Sequence, residues 1–97
     1  MDNREIVYLK ELEKLLNDNF DSDEYCLTGP KESAVCLENE GTQWVVYEKE
    51  RNSKNNTKVF GNILEACLEM IHRMFYGMNV DVYIYKFIDS IPKLQAS

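Results

Sequence analysis

Apolar residues recur at three- and four-residue spacing in the first segment, at Ile6, Leu9, Leu12, Leu15 and Leu16, with lysine and glutamate between them. With roughly 3.6 residues per turn, that spacing draws one apolar stripe along a helix. It predicts a helix from about residue 3 to Asn17. The following stretch, Asn17-Asp18-Asn19-Phe20-Asp21-Ser22-Asp23, is rich in turn formers, whose short polar side chains bond their own backbone. The period then changes. Tyr25-Cys26-Leu27 is short and β-prone, and Gly29-Pro30 breaks it. Ala34 to Glu38 reads as a second strand, closed by Asn39-Glu40-Gly41, and Gln43 to Glu48 is the clearest strand, dense in β-branched and aromatic residues. Asn52 to Asn56 reads as a polar turn, and Thr57-Lys58-Val59-Phe60 as a fourth strand.

A second helix follows with Asn62 as its cap and Glu65 three residues later, in the manner of a capping box. Ile63, Ala66, Cys67, Met70, Ile71 and Met74 make a full apolar face, Leu64, Leu68 and Phe75 widen it, and Gly77 ends it. Val80, Ile84, Phe87, Ile88 and Ile91 fit a third helix stopped near Pro92, while Val82-Tyr83-Ile84-Tyr85 also reads as an edge strand. The spacing over three turns favours the helix. Short connections between successive strands predict an antiparallel meander. The expected architecture is therefore α+β: an N-terminal helix, a four-stranded antiparallel β-meander, then one long helix and a C-terminal helix packed on the sheet. No repeat or linker divides residues 1–97, so one domain is expected.

At 97 residues there is room for one core. Chains of this size bury roughly 60–65% of the surface their unfolded form exposes, which leaves little for a deep enzyme cleft. A hydrophobic fraction of 44% with 11% aromatics sets the chain outside the disordered class. Charge says more. The chain carries a formal charge of −6, and residues 1–40 hold eleven acids against four bases, whereas residues 41–97 hold six against seven. Nucleic-acid binders need lysine and arginine to displace counterions from phosphate, so the sign is wrong for that partner. A basic protein is the electrostatic complement; solubility alone is the plainer reading of the same charge.

No apolar signal core follows the N-terminus and no stretch approaches the ~20 apolar residues of a membrane span, so a cytoplasmic protein with no membrane partner is expected. Asn55-Asn56-Thr57 fits a glycosylation sequon that such a chain would not use. Cys26, Cys36 and Cys67 are odd in number and lie in apolar stretches, as reduced buried thiols do.

Candidate chemistry is sparse. Structural zinc sites take ligands in close pairs, but Cys26, Cys36, Cys67 and His72 are spread out, and Cys67 and His72 sit five apart on a helix, turned away from each other. An EF-hand loop needs glycine at its sixth position and glutamate at its twelfth. Starting from Asn17 these are Ser22 and Thr28, and from Asn19 they are Glu24 and Pro30. No nucleophile turn or phosphate loop occurs. Glu48 and Glu50 share one side of a strand, an arrangement that serves acid–base catalysis in a cleft but on an exposed strand is usually a solvated face. No catalytic role, cofactor or metal is expected.

Binding residues are easier to nominate. Asp18, Asp21, Asp23 and Glu24 contain no base between them and would present four carboxylates on a mobile loop. Trp44 reads first as a core anchor, but tryptophan and arginine also dominate protein interfaces, so Trp44 and Arg51 remain interface candidates.

In order, Tyr25-x-Leu27-x-Gly29, Val35-Cys36-Leu37-Glu38, Trp44-x-Val46-Tyr47-x-x-Glu50-Arg51, then Phe60 and Glu65-Ala66-Cys67 resemble small immunity proteins of bacterial polymorphic-toxin systems, over about residues 25–75. The resemblance implies a cytoplasmic protein that binds one cognate toxin domain and covers its active site or an adjacent surface. Many such toxins are nucleases with a basic substrate groove, and an acidic binder would imitate the phosphate backbone. On that reading Asp18, Asp21, Asp23, Glu24 and Glu38 supply the electrostatics, and Glu48, Glu50 and Arg51 the directional contacts. The rival expectation is an acidic protein-binding adaptor or phage-encoded inhibitor. A homodimer through an edge strand or the last helix is compatible with either.

Overall fold

The structure, a computed structural model, describes residues 3–92. Helix α1 (Asn3–Asn19) is followed by a 3-10 turn (Ser22–Glu24), strands β1 (Tyr25–Cys26), β2 (Val35–Glu40), β3 (Gln43–Glu50) and β4 (Ser53–Phe60), and helices α2 (Ile63–Met74) and α3 (Val80–Ser90). The class is α+β, in the expected element order, and the last segment is helical. The strands lie in the order β1-β2-β3-β4 in one sheet.

Two expectations fail: β4 begins at Ser53, inside the turn expected at Asn52 to Asn56, and the sheet is not an antiparallel meander. The sheet is mixed, because β1 pairs with β2 in parallel, Tyr25 beside Val35 and Cys26 beside Cys36. Parallel neighbours usually need a crossover of a dozen or more residues. Here β1 has only two residues, so the chain can double back through residues 27–34 and still start β2 alongside. The other two pairings are antiparallel, joined by tight turns at Gly41-Thr42 and Arg51-Asn52. Gly41 has a φ of 70°, in the left-handed region that costs a glycine least.

Alternation along β3 gives the sheet two different faces. Trp44 and Val46 join Leu37, Leu12, Leu16, Ala66, Cys67, Met70, Ile71, Phe75 and Phe87 in the main core, beneath the helices. Helix α2 lies across β2, β3 and β4, and α1 and α3 pack against it and each other. Asn62 accepts the Glu65 backbone N–H at 2.9 Å, so the expected cap is in place. On the opposite face Ala34, Cys36, Val45 and Tyr47 form a small second cluster. The Tyr47 hydroxyl donates to Glu38 at 2.7 Å, and the Lys54 ammonium sits 4.6 Å from the Tyr47 ring centroid, close enough for a cation–π contact.

Burial at Cys67, which has no exposed surface, pushes its thiol up to about 12 from 9.0. Tyr47 is also raised, by burial and by its bond to Glu38. Between these values the unfolded chain has released a proton that the folded chain keeps, so stability falls as pH rises. Urea unfolding should show full stability below pH ~9, then a loss approaching about 1.4 kcal/mol per pH unit for each such group. Replacing Cys67 with alanine should flatten the slope, and an unchanged slope would assign the loss elsewhere.

Candidate functional site

The acidic segment that runs from the end of α1 into β1 is held in shape by bonds to its own backbone. The Asn19 side-chain amide donates to the Leu15 carbonyl at 2.8 Å and the Phe20 N–H to the Leu16 carbonyl at 2.8 Å, which carries α1 past Asn17. The Glu24 N–H then bonds the Asp21 carbonyl at 3.0 Å, and the Glu24 carboxylate accepts the Asp21 N–H at 3.0 Å. The Lys31 ammonium donates to the Ser22 carbonyl at 2.5 Å. Both ends of the turn are anchored. Phe20 meets the Phe75 ring edge-on at 4.9 Å, and Tyr25 is buried, with its hydroxyl 3.4 Å from the Asn17 side-chain oxygen. Asp18, Asp21, Asp23 and Glu24 are all exposed. The segment is thus anchored on the core at Phe20 and Tyr25, and within it the Glu24 carboxylate is tied back to the Asp21 N–H.

Asp18 is also placed against local preference. It lies at the C-terminal end of α1, whose last turn holds no basic residue, and the helix dipole there is negative. A carboxylate at that position costs a few tenths of a kcal/mol. Rules broken at the surface without a local gain tend to mark sites used for something else.

Glu24, Glu48 and Glu50 come together around one open hollow of ≈ 420 Å³, which Phe20, Lys49 and Arg73 also line. The two cations are already engaged. Arg73 of α2 donates from Nε to Glu69 at 2.8 Å and from Nη2 to the Asn56 carbonyl at 2.5 Å, with Nη1 3.7 Å from Glu48. Lys49 pairs with Glu32 at 3.1 Å. Among the described residues no cationic group lies within ion-pair distance of Asp18, Asp21, Asp23, Glu24 or Glu50. The hollow therefore offers uncompensated negative charge.

Arg51 lies beside it. It occupies the β3–β4 turn with a φ of 50°, a left-handed conformation that costs a non-glycine residue roughly 1 kcal/mol or more. Glu32 holds it there by accepting the Arg51 N–H, while Lys49 bonds the Arg51 carbonyl. Glu50 and Arg51 line a second open hollow of ≈ 530 Å³ with Glu32. Phe20, Glu24, Glu48 and Glu50 around the first hollow and Glu50 and Arg51 around the second thus share one stretch of surface, which Asp21 and Asp23 adjoin in the chain.

The other two nominated residues lie elsewhere. Glu38 is on the opposite face, bonded to Tyr47 and 3.5 Å from Lys54. Trp44 is in the main core, 2% exposed, with its indole N–H 3.3 Å from the Glu5 carboxylate. Sequence reading missed Glu32 and Arg73. Arg73 had a readable signal, since Glu69 precedes it by four residues on one helix, the favoured order for an ion pair. Glu32 had none, because its partners are set by the β3–β4 turn.

Among the described residues no three His, Cys, Asp or Glu side chains converge as a metal would need, and no helix is long and apolar enough to cross a membrane. No family model, curated protein or solved structure matches the chain.

Proposed function

We propose that this chain is an immunity protein that binds a basic toxin domain and neutralises it by covering the active site or an adjacent surface. The observation that carries the reading is the acidic surface just described. Asp18 closes α1, Asp21 and Asp23 stand on the anchored turn that follows, and Glu24, Glu48 and Glu50 line the hollow beside it. A backbone anchored before binding leaves less to order on meeting a partner, which favours affinity. Opposite fields also speed encounter. Self-protection calls for tight binding. Nanomolar affinity is about −12 kcal/mol, within reach of an interface of roughly 1,600 Å².

The resemblance supports the same reading in two ways. Trp44, Val46, Tyr47, Ala66 and Cys67 are buried, so that part of the motif speaks for a shared packing. Glu50 and Arg51 are exposed, on the acidic surface, where a partner can reach them.

The direct test is co-expression with the toxin domain encoded beside this gene. Rescue of growth together with co-purification is the expected result, and failure of both favours an adaptor or inhibitor with a different partner. Replacing Asp18, Asp21 and Asp23 with asparagine and Glu24 with glutamine should slow association roughly 10- to 100-fold at low salt and weaken its salt dependence. Circular dichroism should be unchanged. An unaltered association rate in stopped-flow would sink the acidic-surface mechanism.

A further inference from the structure

Two of the three thiols are neighbours. Cys26 of β1 and Cys36 of β2 are register partners in the parallel pairing, so their side chains leave the same face of the sheet. Paired strands run about 4.7–4.9 Å apart, inside the Cα separation of about 4.4–6.8 Å that a disulfide requires. Cys36 belongs to the second cluster with Ala34, Val45 and Tyr47, and Cys26 packs against it. Cys67 lies in the main core on the other side of the sheet.

We propose that Cys26 and Cys36 form a reversible dithiol–disulfide couple, a modification site whose oxidant is hydrogen peroxide or a small disulfide such as oxidised glutathione. The two thiols have different access. Cys26 is half-buried, with its sulfur 3.6 Å from the Thr28 hydroxyl. Cys36 is fully buried and its thiol lies 3.6 Å from each of the Lys31 and Ala34 carbonyls. Burial holds the Cys36 thiol in its protonated form to higher pH. Cys26 is therefore the sulfur the oxidant meets, and Cys36 the one that resolves the product.

With peroxide, the Cys26 thiolate attacks one oxygen, giving a sulfenic acid and hydroxide. The Cys36 sulfur then attacks the Cys26 sulfur and displaces the sulfenic oxygen, which leaves as water with the Cys36 proton. In all, two thiols lose two electrons and two protons, and one peroxide becomes two waters. With oxidised glutathione, the Cys26 thiolate forms a mixed disulfide and releases one glutathione thiolate. Cys36 displaces the second, and both leave as glutathione. The adjacent resolving thiol stops Cys26 short of irreversible oxidation. The product ties the two-residue β1 covalently to β2.

The test uses the full chain, reduced and then treated with hydrogen peroxide or oxidised glutathione, alkylated under denaturing conditions and mapped by mass spectrometry. The expected result is a mass lower by two hydrogen atoms, a peptide linking Cys26 to Cys36, alkylated Cys67, and full reversal by dithiothreitol. The oxidised chain should melt about 10 °C higher than the reduced one, from loop closure less some strain. C67S should keep that shift, and C26S and C36S should lose it. Oxidation of Cys26 to sulfinic acid while Cys36 stays alkylatable would overturn the proposal, as would links confined to Cys67 or to a second chain. Mapping the unmodified protein decides the matter even if C36S does not fold.

Discussion

Phe75→Ala is expected to lower the unfolding free energy by about 3–5 kcal/mol, the cost of removing a fully buried aromatic ring and leaving a cavity. The side chain has no exposed surface and is a meeting point of three segments. It stacks on Tyr83 of α3 at 4.0 Å and takes the edge of Phe20 at 4.9 Å, while its own N–H closes the end of α2 on the Ile71 carbonyl at 2.9 Å. Domains of this size are stable by roughly 5–15 kcal/mol, so the substitution takes a large fraction of the total. A fall in melting temperature on the order of 20 °C follows. Phe75→Leu keeps most of the volume and should cost markedly less. Because Phe20 directly precedes the acidic turn, amide exchange in residues 20–25 should also accelerate. A melting point within a few degrees of the parent would show that the three segments do not depend on this ring.

Arg73→Ala is expected to cost about 2–4 kcal/mol, somewhat under the figure for breaking a fully buried ion pair. The side chain is 10% exposed, and its partner Glu69 is 19% exposed. One guanidinium joins the carboxylate of Glu69 on its own helix, the carbonyl of Asn56 on β4 and the carboxylate of Glu48 on β3. Asn56 has a φ of 53° and lies where the β3–β4 register shifts, so Arg73 braces an irregular point of the edge strand. Lysine lacks the planar fork that serves separate acceptors, and Arg73→Lys should recover less than half of the loss. Adding Glu69→Ala to Arg73→Ala should restore part of it, since the half-buried carboxylate, which among the described residues keeps only Lys58, 3.9 Å away, is then gone. Additive losses in urea titrations of the double variant would show that the two residues are not coupled.

Sequence pattern revealed the fold where burial imposes a period. The stripe of α1 and the apolar face of α2 could be read directly, and so could Trp44 as a core anchor. The pattern failed where solvent replaces packing. Ser53, Lys54, Asn55 and Asn56 belong to β4, yet they read as a turn because this edge strand is exposed at nearly every position and carries no alternation. The parallel pairing of β1 had no sequence mark, since two residues cannot show a period. The acidic surface was half legible. Asp18 to Glu24 stood out as a run of charge, but the meeting of Glu24 with Glu48 and Glu50 depends on Phe20 and Tyr25 seating the turn against the core.

The place of α1 in the chain bears on how the protein is made. Its apolar stripe packs on α2 and α3, and Leu12 and Leu16 have no exposed surface in the finished fold. Yet the end of α2 is synthesised about fifty residues after the end of α1, which at ~5–20 residues per second is several seconds. A lone helix of this length is marginal in water. For that interval the ribosome carries an unfinished chain with its leucines uncovered. Eleven acids against four bases among residues 1–40 set a like charge against any close approach of two such uncovered stripes, at separations within about 8 Å.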